Sequence, residues 1–316
     1  VRRAVLLALL VLAAPARASW FVRPLIDPLA GTKTLFEAEK YPEVIAQLSP
    51  ESMQKLNREA LQRAYLYLGT SYERTGKLGE ALSTLQLAVK LFPKDINLLS
   101  ELGYLLHASG LDEQAQPLFE EVLHIHPNNA RAHLGLAEID HSLGFLDRSA
   151  LHYARVLEIW SDRATLWRDY AEVLLAERDP KTAEPAIRKA LALAPDIDST
   201  IDLSFILRAQ GRLPEAIAAL DDVLKEHPER QDVALMRSLW CLEAERWSEA
   251  SAGAQARLTA DPTDALAHWI SARVYLHEDR SAEAAKELRG AAAASQTSPF
   301  TAAAAQALLI QLEGHK

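Results

Sequence analysis

Cysteine is almost absent from this chain. Cys241 is the only one in 316 residues, which excludes an internal disulfide and any cysteine-rich metal site. An oxidising compartment is therefore permitted, but the fold gains nothing from it. Glycine is sparse as well, at 12 residues, while 49% of the chain is hydrophobic and 24% charged. That is the composition of an ordered chain rather than a low-complexity one. Positive charge is in deficit, with 34 Lys and Arg against 43 Asp and Glu for a formal charge of −9. No basic run is interleaved with aromatics, so nucleic acid is not the expected partner.

Catalytic signatures are missing too. There is no G-x-S-x-G, no H-E-x-x-H, no phosphate-binding loop and no dinucleotide fingerprint. Ser52-Met53-Gln54-Lys55 fits S-x-x-K, the nucleophile pair of penicillin-binding proteins, and keeps open the alternative of a peptidoglycan or glycan-processing enzyme. The S-D-N and K-T-G elements that accompany that pair are absent, so the expectation is a protein without catalytic residues or cofactor. His124, His126, His133, His141 and His152 crowd one region, but without an H-x3-H on one helix face or a cysteine ligand nearby. No metal is expected there.

The N-terminus has the pattern of an export signal. Arg2 and Arg3 precede an apolar run from Ala4 to Ala14, Pro15 ends it, and Ala16-Arg17-Ala18 supplies the small-x-small cleavage pattern. The run is shorter than the roughly 17–25 residues of a membrane-spanning helix. Cleavage after Ala18 is expected, leaving a periplasmic or secreted chain with no membrane span and, having lost three arginines, a more acidic balance.

What the chain does have is a repeat. From Gln62, Tyr65, Leu68, Gly69, Tyr72, Ala81, Leu85, Ala88 and Pro93 occupy positions 4, 7, 8, 11, 20, 24, 27 and 32 of a 34-residue period. The same positions next hold Leu99, Leu102, Gly103, Leu106, Ala115, Phe119, Val122 and Pro127. Further copies begin at Ala130, Ala164, Ile197, Gln231 and Ala265, with one 33-residue step. The spacing predicts two amphipathic helices per repeat. Position 8 is small in every copy (Gly69, Gly103, Ala137, Ala171, Ser204, Ser238, Ala272), as close approach of two helices requires. Gly76, Gly110, Gly144 and Gly211 fall at position 15, where a left-handed turn ends the first helix.

This pattern resembles the tetratricopeptide repeat, W-x2-L-G-x2-Y, A-x3-F, P. The resemblance implies an all-α, right-handed superhelical solenoid of antiparallel helix pairs. The expected organisation is a signal peptide over 1–18 and N-terminal helices with a partial repeat over 19–61. Seven repeats over 62–298 and a C-terminal capping helix over 299–316 complete it. In the partial repeat, Gly31 and Thr32 fit the framework poorly. Asp140 in repeat three and Ala234, Arg237 and Ala254 in repeat six also depart from it, which predicts local softness.

The resemblance further implies a protein or peptide partner held in a concave groove lined by first-helix positions 2, 5, 9 and 12. Carried over, these positions give Tyr104, His107, Arg131, Glu138 and His141 early in the array. Arg168, Glu172, Phe205, Arg208, Leu239, Trp269 and Arg273 follow. The early stretch is polar and of mixed charge. The later one predicts an exposed apolar row of Phe205, Leu239 and Trp269, with Arg208 and Arg273 available to a partner's carboxylates.

Overall fold

The computed structural model describes residues 27–294 and 298–314. The expected export signal over residues 1–18 therefore lies outside the described residues. All regular structure among them is helical, in eighteen helices. The chain divides into two compact bodies, one up to Leu105 and one from Leu106, and α6 (Ile96–Ala108) lies across the division.

In the first body, α1 (Ala30–Glu37), α2 (Tyr41–Gln47) and the single turn α3 (Pro50–Met53) precede α4 (Arg58–Arg74) and α5 (Leu78–Leu91). Leu29, Val44, Leu48, Met53, Ala64 and Leu68 form its core. Thr32 is buried and its hydroxyl donates to Gln47 Oε1 at 3.0 Å. The poor match seen in sequence is thus the small, buried residue of the partial repeat, with its polar atom satisfied. Gly69 shows why position 8 must be small: a Cβ there would lie 2.6 Å from the fully buried Leu85. Helix α2 has only 7 residues where α5 has 14, because Ser49 and Pro50 start a new turn. A cavity of about 530 Å³, lined by Leu48, Met53, Leu61, Tyr65, Leu68 and Leu87 among others, opens beside α4.

The second body alternates first helices α8 (Ala130–Ser142), α10 (Ala164–Ala176), α12 (Ile197–Ala209), α14 (Gln231–Glu243) and α16 (Ala265–His277) with second helices. These are α7 (Asp112–Ile125), α9 (Leu146–Ile159), α11 (Pro180–Leu193), α13 (Leu213–Glu226), α15 (Trp247–Ala260) and α17 (Ser281–Ala293), followed by α18 (Pro299–Gly314). Each helix packs on the next, and α10 also touches α12 as α14 touches α16. A single apolar cluster runs from Ala137 to Val274. Leu288, Ala305 and Leu309 join a second cluster in which α18 covers α17.

Three local rules set the helix boundaries. First helices begin after an Asx cap: side-chain oxygens of Asn129, Asp196 and Asp264 accept the N–H three residues on. Arg163 and Arg230 stand at that place in repeats four and six and make no such bond. First helices end with a left-handed residue at position 15. Glycine takes it at 76, 110, 144 and 211, but Arg178, Glu245 and Asp279 adopt φ of 57–66° at the same place, as does Glu39 of the partial repeat. The turn is thus imposed by the packing even where no glycine eases it.

The third rule concerns position 4. The Trp167 indole Nε1–H donates to the Ser161 carbonyl at 2.9 Å, the bond that holds the start of one repeat to the end of the previous one. His133 and His268 occupy position 4 in repeats three and seven. Their Nε2 atoms lie 3.0 Å from the carbonyls of Pro127 and Pro262, again six residues upstream. An imidazole N–H replaces the indole N–H, so these histidines belong to the framework.

Candidate partner-binding face

Within the second body, positions 4, 7, 8 and 11 turn each first helix inward. The remaining stripe of α8, α10 and α12 carries carboxylates. Glu138 on α8, Asp169 and Glu172 on α10, and Asp198 and Asp202 on α12 follow one another along it. Burial pushes the Asp202 carboxyl up to about 6, against the pull of Arg168, with Glu172, Asp198 and Asp196 adding to the rise. Burial also raises Asp169, opposed by Arg168 and reinforced by Glu172. At Glu138 burial is again the main cause of an upward shift, with His107 opposing it and Asp169 adding to it. Arg168 reaches Asp202 at 3.7 Å and Asp198 at 3.9 Å. Those separations are too long for hydrogen bonds, so the guanidinium is attracted to the row without being locked into it.

The later stretch is built differently. Phe205, Leu239 and Trp269 are half-buried and pack against the molecule's own core. Phe205 meets the buried Trp240 edge-on, ring centres 5.3 Å apart. Arg208 lies over Trp240 at 4.4 Å and forms two hydrogen bonds of 2.7 Å with Glu243. The guanidinium expected to be available to a partner is therefore already paired with a carboxylate of the next first helix. Arg273 sits over its neighbour Trp269 at 5.6 Å. Arg237, a framework departure in repeat six, bonds Asp221 and Glu249.

The other residues from the groove pattern are scattered in role. Tyr104 is half-buried and belongs to the first body, whereas Arg131, His141 and Glu172 are exposed in the second. His107 Nδ1 lies 2.6 Å from Asp112, which also accepts from Ser142. Burial raises that aspartate, but the bonds from His107 and Ser142 win and hold it below the usual carboxylate range. Sequence reasoning missed Asp169 and Asp202. Both stand at position 6, one residue beyond the groove positions, and an acid recurring there in two successive repeats was the available signal.

In the S-x-x-K pair the serine hydroxyl is taken up by the backbone. Ser52 Oγ faces the carbonyls of Gln47 and Ser49 at 2.7 and 2.8 Å, closing the turn of α3. Among the described residues no three His, Cys, Asp or Glu side chains are placed to hold a metal ion, and no helix is long and apolar enough to cross a membrane.

Tetratricopeptide-repeat family models match residues 63–95, 101–164 and 206–265. The chain belongs to the tetratricopeptide-repeat family. It is 29% identical over 133 residues to human tetratricopeptide repeat protein 7B, a match that spans 42% of this chain but only 16% of that relative. Among solved structures, the C-terminal part of a tetratricopeptide repeat-containing protein from Cytophaga hutchinsonii superposes with a TM-score of 0.62 at 14% identity. It covers 75% of this chain and 96% of its own. A tetratricopeptide repeat protein from Parabacteroides merdae gives 0.56 at 15% identity, covering 79% and 98%. MamA from Desulfovibrio magneticus gives 0.50 at 18%, covering 54% and 96%. At these identities the likenesses speak for the fold alone, an all-α solenoid of helix pairs. A tetratricopeptide-repeat array of this kind serves as a protein-interaction scaffold.

Proposed function

We propose that this protein is an exported scaffold that holds a basic segment of a protein partner along the first helices of repeats three to five, in the service of cell-envelope assembly or secretion. The observation that carries this reading is the carboxylate row from Glu138 to Asp202. Burial and mutual repulsion raise Glu138, Asp169 and Asp202, and Arg168 approaches Asp202 and Asp198 without a hydrogen bond. Carboxylates in that condition gain most when a cation arrives. A Lys- or Arg-bearing helix or extended strand supplies such cations at side-chain spacing. Phe205, Leu239 and Trp269 already spend their apolar surface on the core, and Arg208 on Glu243, which leaves the acidic stretch as the better-suited half. Export rests on Arg2, Arg3, the apolar run and Ala16-Arg17-Ala18.

Photo-crosslinking residues placed at Glu172, at Leu239 and at the exposed Leu151 of α9 test the site. Adducts with one identified partner from position 172, suppressed at about 0.5 M salt where exposed charges are screened, are expected. Adducts from Leu239 alone, or equal yields at Leu151, overturn the assignment. Intact mass checks export separately: the mature chain is expected to begin at Ser19, and a chain retaining residues 1–18 refutes it.

A further inference from the structure

Repeat three carries two imidazoles that share one hydrogen. His133 Nε2 lies 3.0 Å from the Pro127 carbonyl. A carbonyl only accepts, so Nε2 carries the hydrogen and the neutral ring has a bare Nδ1. That Nδ1 is 2.9 Å from Nδ1 of His152. Two lone pairs at that distance repel, so His152 supplies the hydrogen between them, and its own Nε2 is left bare. This Nε2 faces the Asp140 carboxylate at 3.9 Å. Asp140 is 1% exposed, lies 2.9 Å from Arg148, and has no hydrogen bond to either oxygen.

We propose that His133 and His152 form an acid-released latch between α8 and α9, closed while both rings are neutral and opened when the pair takes up protons. The first added proton goes to His152 Nε2, beside Asp140. The second can only go to His133 Nδ1, and then two N–H donors confront each other where one hydrogen bond stood. Two cations also stand 5.2 Å apart, ring centre to ring centre. The surrounding charges do not cancel them. Helix α9 contributes Arg148 and Arg155 against Asp147 and Glu158, α7 contributes Glu120, and α8 contributes Asp140, already approached by Arg148. Helix α10 packs Leu166, Trp167 and Tyr170 into the apolar cluster shared with Tyr153 and Leu157 of α9. Burial is the first cause of a downward shift at both histidines, with His152 brought to about 4. Glu138 rides on α8, so opening the latch loosens the early end of the acidic row.

Repeat seven contains its own control. His268 makes the same Nε2 contact to Pro262, but its Nδ1 meets Glu287 at 2.6 Å. There a second ring hydrogen has an acceptor, so acid does no harm. The test follows from that geometry. Melting temperatures of the full mature chain are measured from pH 7.5 to pH 4 for the native protein, for His152→Glu, which copies repeat seven, and for His133→Trp, which copies Trp167. The native chain is expected to lose roughly 5 °C more than either variant as pH falls. Side-chain nitrogen NMR is expected to show His133 and His152 titrating below the ordinary imidazole range. Parallel melting curves for all three proteins, or ordinary titration of both histidines, overturn the latch. If His152→Glu does not fold, His133→Trp and the NMR titration decide the matter.

Discussion

Repeats three to five and repeats five to seven present the same stripe of the same helices, yet they spend their charge in opposite ways. In the later stretch each guanidinium has found a home: Arg208 on Glu243 and Trp240, Arg237 on Asp221 and Glu249, Arg273 over Trp269. In the earlier stretch carboxylates face carboxylates, and Arg168 stands 3.7 Å or more from the acids it serves. The later half has been satisfied from within and contributes to stability. The earlier half stays unsatisfied at a cost in stability, the expected condition of a surface kept for something else. The comparison also revises the row of Phe205, Leu239 and Trp269, which reads as exposed in sequence and lies half-buried against the core in space.

The largest effect that can break this contrast lies in the aromatic half. Trp240 is 3% exposed, under Arg208 and against Phe205. Trp240→Ala is expected to cost about 3–5 kcal/mol, the usual range for emptying a large buried aromatic. Because repeats lean on their neighbours, loss of hydrogen-exchange protection should concentrate in α12 to α16. A neutral Trp240→Ala, with partner capture lost, would return the aromatic row to the role of interface.

A smaller effect of opposite sign belongs to the acidic half. Asp202 is raised from 3.8 to about 6, so folding favours its protonated form. The stability it contributes is present below about pH 4 and lost as pH rises through about 6. Asp202→Asn is therefore expected to stabilise the protein at pH 7 by about 1 kcal/mol, after discounting for a side chain one-third exposed. The gain should vanish at pH 4. His152 works in the other direction: its pKa falls from 6.5 to about 4, so its contribution is present above pH 6.5 and lost as pH falls through about 4. Denaturant unfolding of Asp202→Asn at pH 4, 5.5 and 7 separates the two, and a gain that does not change with pH would remove the charge argument.

Much of the scaffold was legible because its demands recur every 34 residues. Small residues at position 8 and glycines at position 15 announce helix contact and helix end in the sequence itself. The pairing of Arg208 with Glu243 was not legible, since it joins positions 12 and 13 of successive repeats, and only the angle between neighbouring helices decides which side chains meet. Asp169 and Asp202 were hidden by one residue of rotation about the helix axis. His133 stood among the crowded histidines, where no metal was expected, and only the carbonyls of Pro127 and Pro262 show that it and His268 do the work of an indole. Asp140 and Arg237, which read as defects, are tied to Arg148 and to Asp221 and Glu249.

The smallest expected effect tests whether the two halves share one backbone rule despite their different surfaces. Arg178 in the acidic half and Glu245 in the aromatic half both hold the left-handed turn at position 15, with φ of 66° and 57°. For a residue with a Cβ that conformation costs about 1–2 kcal/mol. Glycine removes the strain but loses about 0.5–1 kcal/mol through the greater freedom of the unfolded chain. The first term is the larger, so Arg178→Gly and Glu245→Gly should each stabilise by about 0.5–1 kcal/mol by the same two magnitudes. Neither side chain makes an ion pair that would be lost. Their effects should also add, since one full repeat separates them. A gain at Glu245 with a loss at Arg178 would mean that the Arg178 charge itself supports the acidic half, and that the halves differ in long-range electrostatics as well as in contacts.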